Sequence, residues 1–130
     1  MNPQAIPSKP VLSVVIAVFN AKDTIARAIQ SVHAQDYPQK ELIVIDGGSN
    51  DGTVEVIRSH SGQVTYWESE KDRGIYHAFN KGVSRATGDW ILFLGADDYL
   101  WSPKVFSDAA GKLSELRDCM IAYGRVSVVD

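Results

Sequence analysis

The chain predicts an α/β domain with a mostly parallel sheet and flanking helices. Three observations lead there. Short, nearly unbroken β-branched runs alternate with segments whose apolar residues recur at helical spacing, the pattern of crossover units. Those runs lack polar alternation, as strands covered on both faces do. Polar or acidic residues then stand at the carboxyl ends of the runs, where such sheets bind ligands.

Residues 1–10, with three prolines, read as a flexible lead-in to one domain over 11–130. Val11–Phe19 is the first strand, broken by Asn20-Ala21-Lys22-Asp23, and Asn20 or Asp23 is placed to cap the next helix. Ile25, Ala28, Ile29 and Val32 line that helix, and Tyr37-Pro38 ends it. Leu42–Ile45 is a second buried strand, ending at Asp46. A turn, Gly47–Gly52, leads to a helix reaching Arg58, with Asn50 or Asp51 as its cap. Val64–Glu68 is a third strand. Ile75, Ala78, Phe79, Gly82 and Ala86 share one helix face closed by Gly88. Trp90–Leu94 is a buried strand ending in Gly95-Ala96-Asp97-Asp98. A helix from about Pro103 to Leu116 follows, and strand material at 121–123 and 126–129 closes the chain.

Composition narrows the functional classes. The 130 residues are 45% hydrophobic with a net charge of −3, which gives no electrostatic footprint for nucleic acid or an anionic membrane. No run approaches membrane-spanning length, and the start lacks the features of a signal peptide. The lone Cys119 sits among apolar neighbours and reads as a packing residue. A cytoplasmic location is expected, with membrane association open only through other parts of a longer parent.

Four polar clusters fall at one edge of such a sheet: Phe19-Asn20, Asp46-Gly47, Asp72-Arg73-Gly74 and Asp97-Asp98. Asp97 and Asp98 suit a hard divalent cation and the diphosphate it would hold, although acidic pairs also serve as solvated turns. Asp46 suits a ribose hydroxyl or base imide, or else only caps the next helix. Arg73 suits a phosphate. Lys81 reads as a solvated helix residue, and His77 as surface. His33, His60 and His77 lack metal-ligand spacing, and no serine or threonine has a nucleophile–base pattern. Neither a phosphate loop nor a Gly-x-Gly-x-x-Gly turn is present, so carboxylates and a metal would have to hold any nucleotide.

Four ordered segments resemble signatures of family 2 inverting glycosyltransferases of the GT-A, Rossmann-like fold. They are Val14–Asn20 with Thr24-Ile25, Leu42–Thr53, Asp72–Gly82 and Leu94–Asp98. The resemblance implies the N-terminal, donor-binding portion of an enzyme that moves a sugar from a nucleotide diphosphate donor, UDP-linked or similar, to a saccharide or lipid-linked hydroxyl acceptor. It implies that Phe19, Asn20 and Asp46 bind the nucleoside, that Asp72 contacts base or ribose, and that Arg73 and Gly74 shape the pocket. Asp98 would ligate Mg²⁺ or Mn²⁺, and Asp97 would contact ribose or support the metal. Ala96 stands where many relatives carry Asp, which places most of the metal duty on Asp98. The family's catalytic base normally lies in a later acceptor region. Asp118 and Asp130 have no supporting pattern, so the base is expected beyond this chain. The alternative is a nucleotide-sugar-binding fragment without turnover. A phosphorelay receiver is disfavoured because it needs its acidic pair after the first strand, where Phe19-Asn20 stands. A sugar-1-phosphate nucleotidyltransferase would need a glycine-rich basic loop there.

Overall fold

A computed structural model describes residues 9–115. The predicted final strands, Cys119, Asp118, Asp130 and most of the proline-rich lead-in lie outside the described residues. Four parallel strands run in the order β3-β2-β1-β4: β1 (Leu12–Val18), β2 (Lys40–Asp46), β3 (Tyr66–Ser69) and β4 (Trp90–Gly95). Between and after them lie α1 (Ile25–His33), α2 (Thr53–Ser59), α3 (Ile75–Arg85) and α4 (Val105–Leu113). A 3₁₀ turn at Ser61–Gln63 delays β3 by two residues from its predicted start. Pro103 lies ahead of α4, which begins at Val105.

All seven residues of β1 are buried, as a central strand with helices on both faces requires. Alternate residues divide between two cores. Leu12, Val14, Ile16 and Val18 join Leu42 and Val44 beneath Ile25, Ile29, Ile57 and Phe106 of α1, α2 and α4. Val15, Ala17, Ile43 and Ile45 face the other way and pack with Ala78 of α3. Helix α3 lies so close to the sheet that a Cβ at Gly82 would collide with Val15 Cγ1.

Two expectations need correction. Strand β4 forms, but of its six residues only Leu94 is buried, while Phe93 is 49% exposed. It pairs with β1 alone, so among the described residues its outer edge has no neighbour. Neither Asn20 nor Asp23 caps α1, whose first turn has no side-chain cap. Asn20 is engaged elsewhere.

Candidate functional site at the carboxyl edge of the sheet

Because every strand runs the same way, the loops that follow them emerge at one edge. They enclose a cleft of about 960 Å³. Phe19 and Asn20 enter it after β1, Gly47 and Gly48 after β2, Asp72 and Gly74 ahead of α3, and Gly95 and Asp97 at the end of β4. The strand order turns from leftward to rightward growth at β1, the position where open α/β sheets accept ligands.

Phe19 is 62% exposed and offers a flat apolar ring to the cleft. Asn20 holds φ at +50°, a left-handed conformation that Asn tolerates. Its N–H donates to Ser49 Oγ at 2.7 Å, and its Oδ1 accepts the Asn50 N–H at 3.0 Å. Asn20 therefore ties the loop after β1 to the loop after β2. The cap position of α2 is Gly52, so neither Asn50 nor Asp51 caps that helix as expected; Asp51, one residue earlier, accepts the Thr53 N–H at 3.0 Å. A hydrogen bond from the Thr53 hydroxyl is the main force holding its carboxyl below the usual aspartate range.

Asp46 is not among the residues that line the cleft. Its side chain is fully buried. Its Oδ2 accepts the N–H groups of Gly48 (3.0 Å) and Ser49 (2.9 Å) and the Ser69 hydroxyl (2.7 Å), while its Oδ1 accepts the Ser49 hydroxyl. Asp46 thus shapes the loop from beneath, with its carboxylate turned toward the loop's own donors.

The carboxylate that reaches the cleft here is Asp72. Gly47 makes room for it: a Cβ at 47 would lie 2.8 Å from Asp72 Oδ2. Asp72 Oδ1 accepts the Gly74 N–H at 2.9 Å, which turns the chain into α3. Arg73 is exposed and does not line the cleft. Its N–H donates to His77 Nδ1 at 2.9 Å, so His77 fastens the loop instead of idling at the surface. Lys81 is not simply solvated either, since its Nζ meets Glu70 Oε1 at 2.7 Å across the mouth of the same loop. The hydrogen bond between them lowers the Glu70 carboxyl and raises the Lys81 ammonium.

Asp97 and Asp98 are exposed on the turn closed by the Asp98 N–H donating to the Gly95 carbonyl at 3.1 Å. A Cβ at Gly95 would lie 2.7 Å from Asp98 Oδ2 and 3.1 Å from Asp97 Oδ1. The two carboxylates thus converge over bare backbone. A divalent cation such as Mg²⁺ takes one or two carboxylates and completes its shell with phosphate oxygens and water. The pair fits that role. Among the described residues no cluster of three His, Cys, Asp or Glu side chains could hold a metal unaided. Lys22 and Lys71 also line the cleft and were missed. Their place next to two of the carboxyl-edge clusters was the available signal.

A parallel α/β domain with a cleft at its carboxyl edge belongs to the open-sheet class that binds its ligands there. The chain belongs to the glycosyl transferase family 2, whose model matches residues 13–129. It is 41% identical over 108 residues to an uncharacterised glycosyltransferase of Mycobacterium tuberculosis, covering 82% of this chain and 41% of that protein. It is 32% identical over 120 residues to the PGL/p-HBAD biosynthesis glycosyltransferase of Mycobacterium bovis, covering 90% of this chain and 47% of that one. The chain therefore spans less than half the length of these relatives. Among solved structures, the mannosyltransferase of Pyrobaculum calidifontis in complex with GDP-Man and Mn²⁺ superposes with a TM-score of 0.73 at 26% identity, covering 85% of this chain and 33% of that one. Staphylococcus aureus TarS in complex with UDP gives 0.73 at 25% identity, over 81% and 32%. The architecture is the GT-A, Rossmann-like fold of these glycosyltransferases.

Proposed function

We propose that this chain is the donor-binding portion of a metal-dependent glycosyltransferase that moves a sugar from a nucleoside diphosphate to a hydroxyl acceptor. The convergence of Asp97 and Asp98 over Gly95, where Gly95 and Asp97 line the cleft and Asp98 follows directly behind them, is the observation that carries the reading. Similarity to structures holding GDP-Man with Mn²⁺, and UDP, supports it.

Phe19 stacks on the base and Asn20 borders the nucleoside. Asp72 accepts a hydrogen bond from base or ribose, with Gly74 leaving the backbone open beside it. Asp98 ligates Mg²⁺ or Mn²⁺, and Asp97 contacts ribose or supports the metal. Lys22 and Lys71 bring positive charge to the diphosphate, and Arg73 supplies a further guanidinium at the rim. When bound, the cation neutralises the charge that grows on the leaving nucleoside diphosphate. A base that deprotonates the acceptor hydroxyl belongs to the remaining length that the relatives possess. The acceptor is a saccharide or a lipid-linked hydroxyl compound, and the reaction is placed on the cytoplasmic side.

Calorimetry with UDP and Mn²⁺ tests this. The chain should bind UDP more tightly with Mn²⁺ than without it, and Asp98→Ala should remove that gain, a loss of at least about tenfold. Binding indifferent to Mn²⁺, or unchanged in Asp98→Ala, would refute the reading.

A further inference from the structure

The acidic turn does not stand alone, because the chain that follows it is bound to one helix at regular intervals. Arg27, Ser31 and Gln35 are four residues apart, on α1 and just past its end, so they share one face. The Arg27 guanidinium lies 4.3 Å from the centre of the Tyr99 ring. Ser31 Oγ accepts the Leu100 N–H at 3.0 Å. Gln35 Nε2 donates to the Ser102 carbonyl at 2.7 Å, and its Oε1 accepts the Phe106 N–H at 2.9 Å. Next to it, the Asp36 N–H donates to the Pro103 carbonyl at 2.9 Å. Gln35 is only 5% exposed. A buried amide is tolerated when its polar atoms are paired, and those of Gln35 are paired largely with this one stretch of chain.

We propose that Arg27, Ser31 and Gln35 are positioning residues that hold the acidic turn in register for its cation, an inference that rests on the metal-dependent donor site proposed above. The turn itself has little else to fix it. Its one local backbone hydrogen bond is from Asp98 N–H to Gly95, and both acidic side chains are exposed. Tyr99 and Leu100, anchored directly behind Asp98, set where its carboxylate can point. None of the three residues lines the cleft. What they anchor directly, Tyr99 and Leu100, adjoins Asp98, so their loss acts first on the cation.

Arg27→Ala, Ser31→Ala and Gln35→Leu test this with two measurements on the 130-residue chain. Hydrogen exchange should quicken at the amides of Asp97 to Leu100 in each variant. UDP titrated with Mn²⁺ should bind about tenfold more weakly, the usual penalty for loosening the support of a metal ligand. UDP without metal should bind as in the parent. Arg27 is exposed, so Arg27→Ala keeps the test open even if Gln35→Leu does not fold. Unchanged exchange at 97–100, or an equal loss of metal-free binding, overturns the proposal. A parent that ignores Mn²⁺ would instead refute the donor-site reading, and the exchange measurement alone would then decide on the strap.

Discussion

Gly47 shows how a missing side chain places a functional one. The Asp72 carboxylate rests where a Cβ at 47 would stand, 2.8 Å from its Oδ2. Gly47→Ala should displace that carboxylate, because the obstacle is the free end of a side chain and not backbone. The expected result is UDP affinity several-fold weaker, with a melting temperature near that of the parent. A variant binding UDP normally would separate Asp72 from nucleoside recognition. Asp46 shows what the sequence left unseen at the same scale. An acid after a buried strand and before two glycines looks like a ligand contact. Its partners Ser49 and Ser69 are 3 and 23 residues away, and nothing in the pattern marks the second as a neighbour. Asp72 was named from the sequence, but the glycine that admits it was not paired with it.

Among the elements, α3 rests closely on β1, and Gly82 is the reason. Its absent side chain lets the helix rest on Val15. Gly82→Ala would gain about 1 kcal/mol in helix propensity but overpack the contact by about 1–3 kcal/mol. The collision is with a fully buried side chain on the central strand, so the upper end applies. A net loss of about 1–2 kcal/mol should appear in denaturant unfolding, and a stabilised variant would show that the sheet yields there. Strands β1 and β2 were legible because β-branched runs without polar alternation have few alternatives to a doubly covered strand. The apolar run of β4 looked the same. Its exposure depends on what lies beyond its outer edge, which a run of apolar letters cannot report. Phe93 does find Phe79 of α3, at 4.6 Å between ring centres.

At the scale of the whole molecule, the two edges of the sheet have different tasks. The carboxyl edge carries the cleft, and Glu41 staples the other. Its carboxylate accepts the Ser13 hydroxyl (2.8 Å), the Thr87 N–H (2.6 Å) and the Thr87 hydroxyl (3.0 Å), joining β1, β2 and the approach to β4. Burial pushes the Glu41 carboxyl up. The hydrogen bonds from Thr87, Ser13 and Gly88 more than offset that, and hold it below the ordinary value of 4.5. A lowered carboxyl stabilises the fold fully above its unfolded-chain value, and that contribution is lost as pH falls through the folded one. Melting temperature followed from neutral pH to below 4.5 should therefore drop less steeply in Glu41→Gln than in the parent. Parallel acid limbs would remove Glu41 from the account. The alternation of strands and helices made the general architecture and its ligand edge legible. The staple was not, since it joins residues up to 75 positions apart through side chains that look like ordinary surface. The acids of the cleft are set by bare backbone: Asp97 and Asp98 lean over Gly95 as Asp72 leans over Gly47. A one-carbon addition at either glycine could thus redirect an acid while the packed interior stays intact, so this cleft is open to evolutionary retuning by small steps that leave the scaffold untouched.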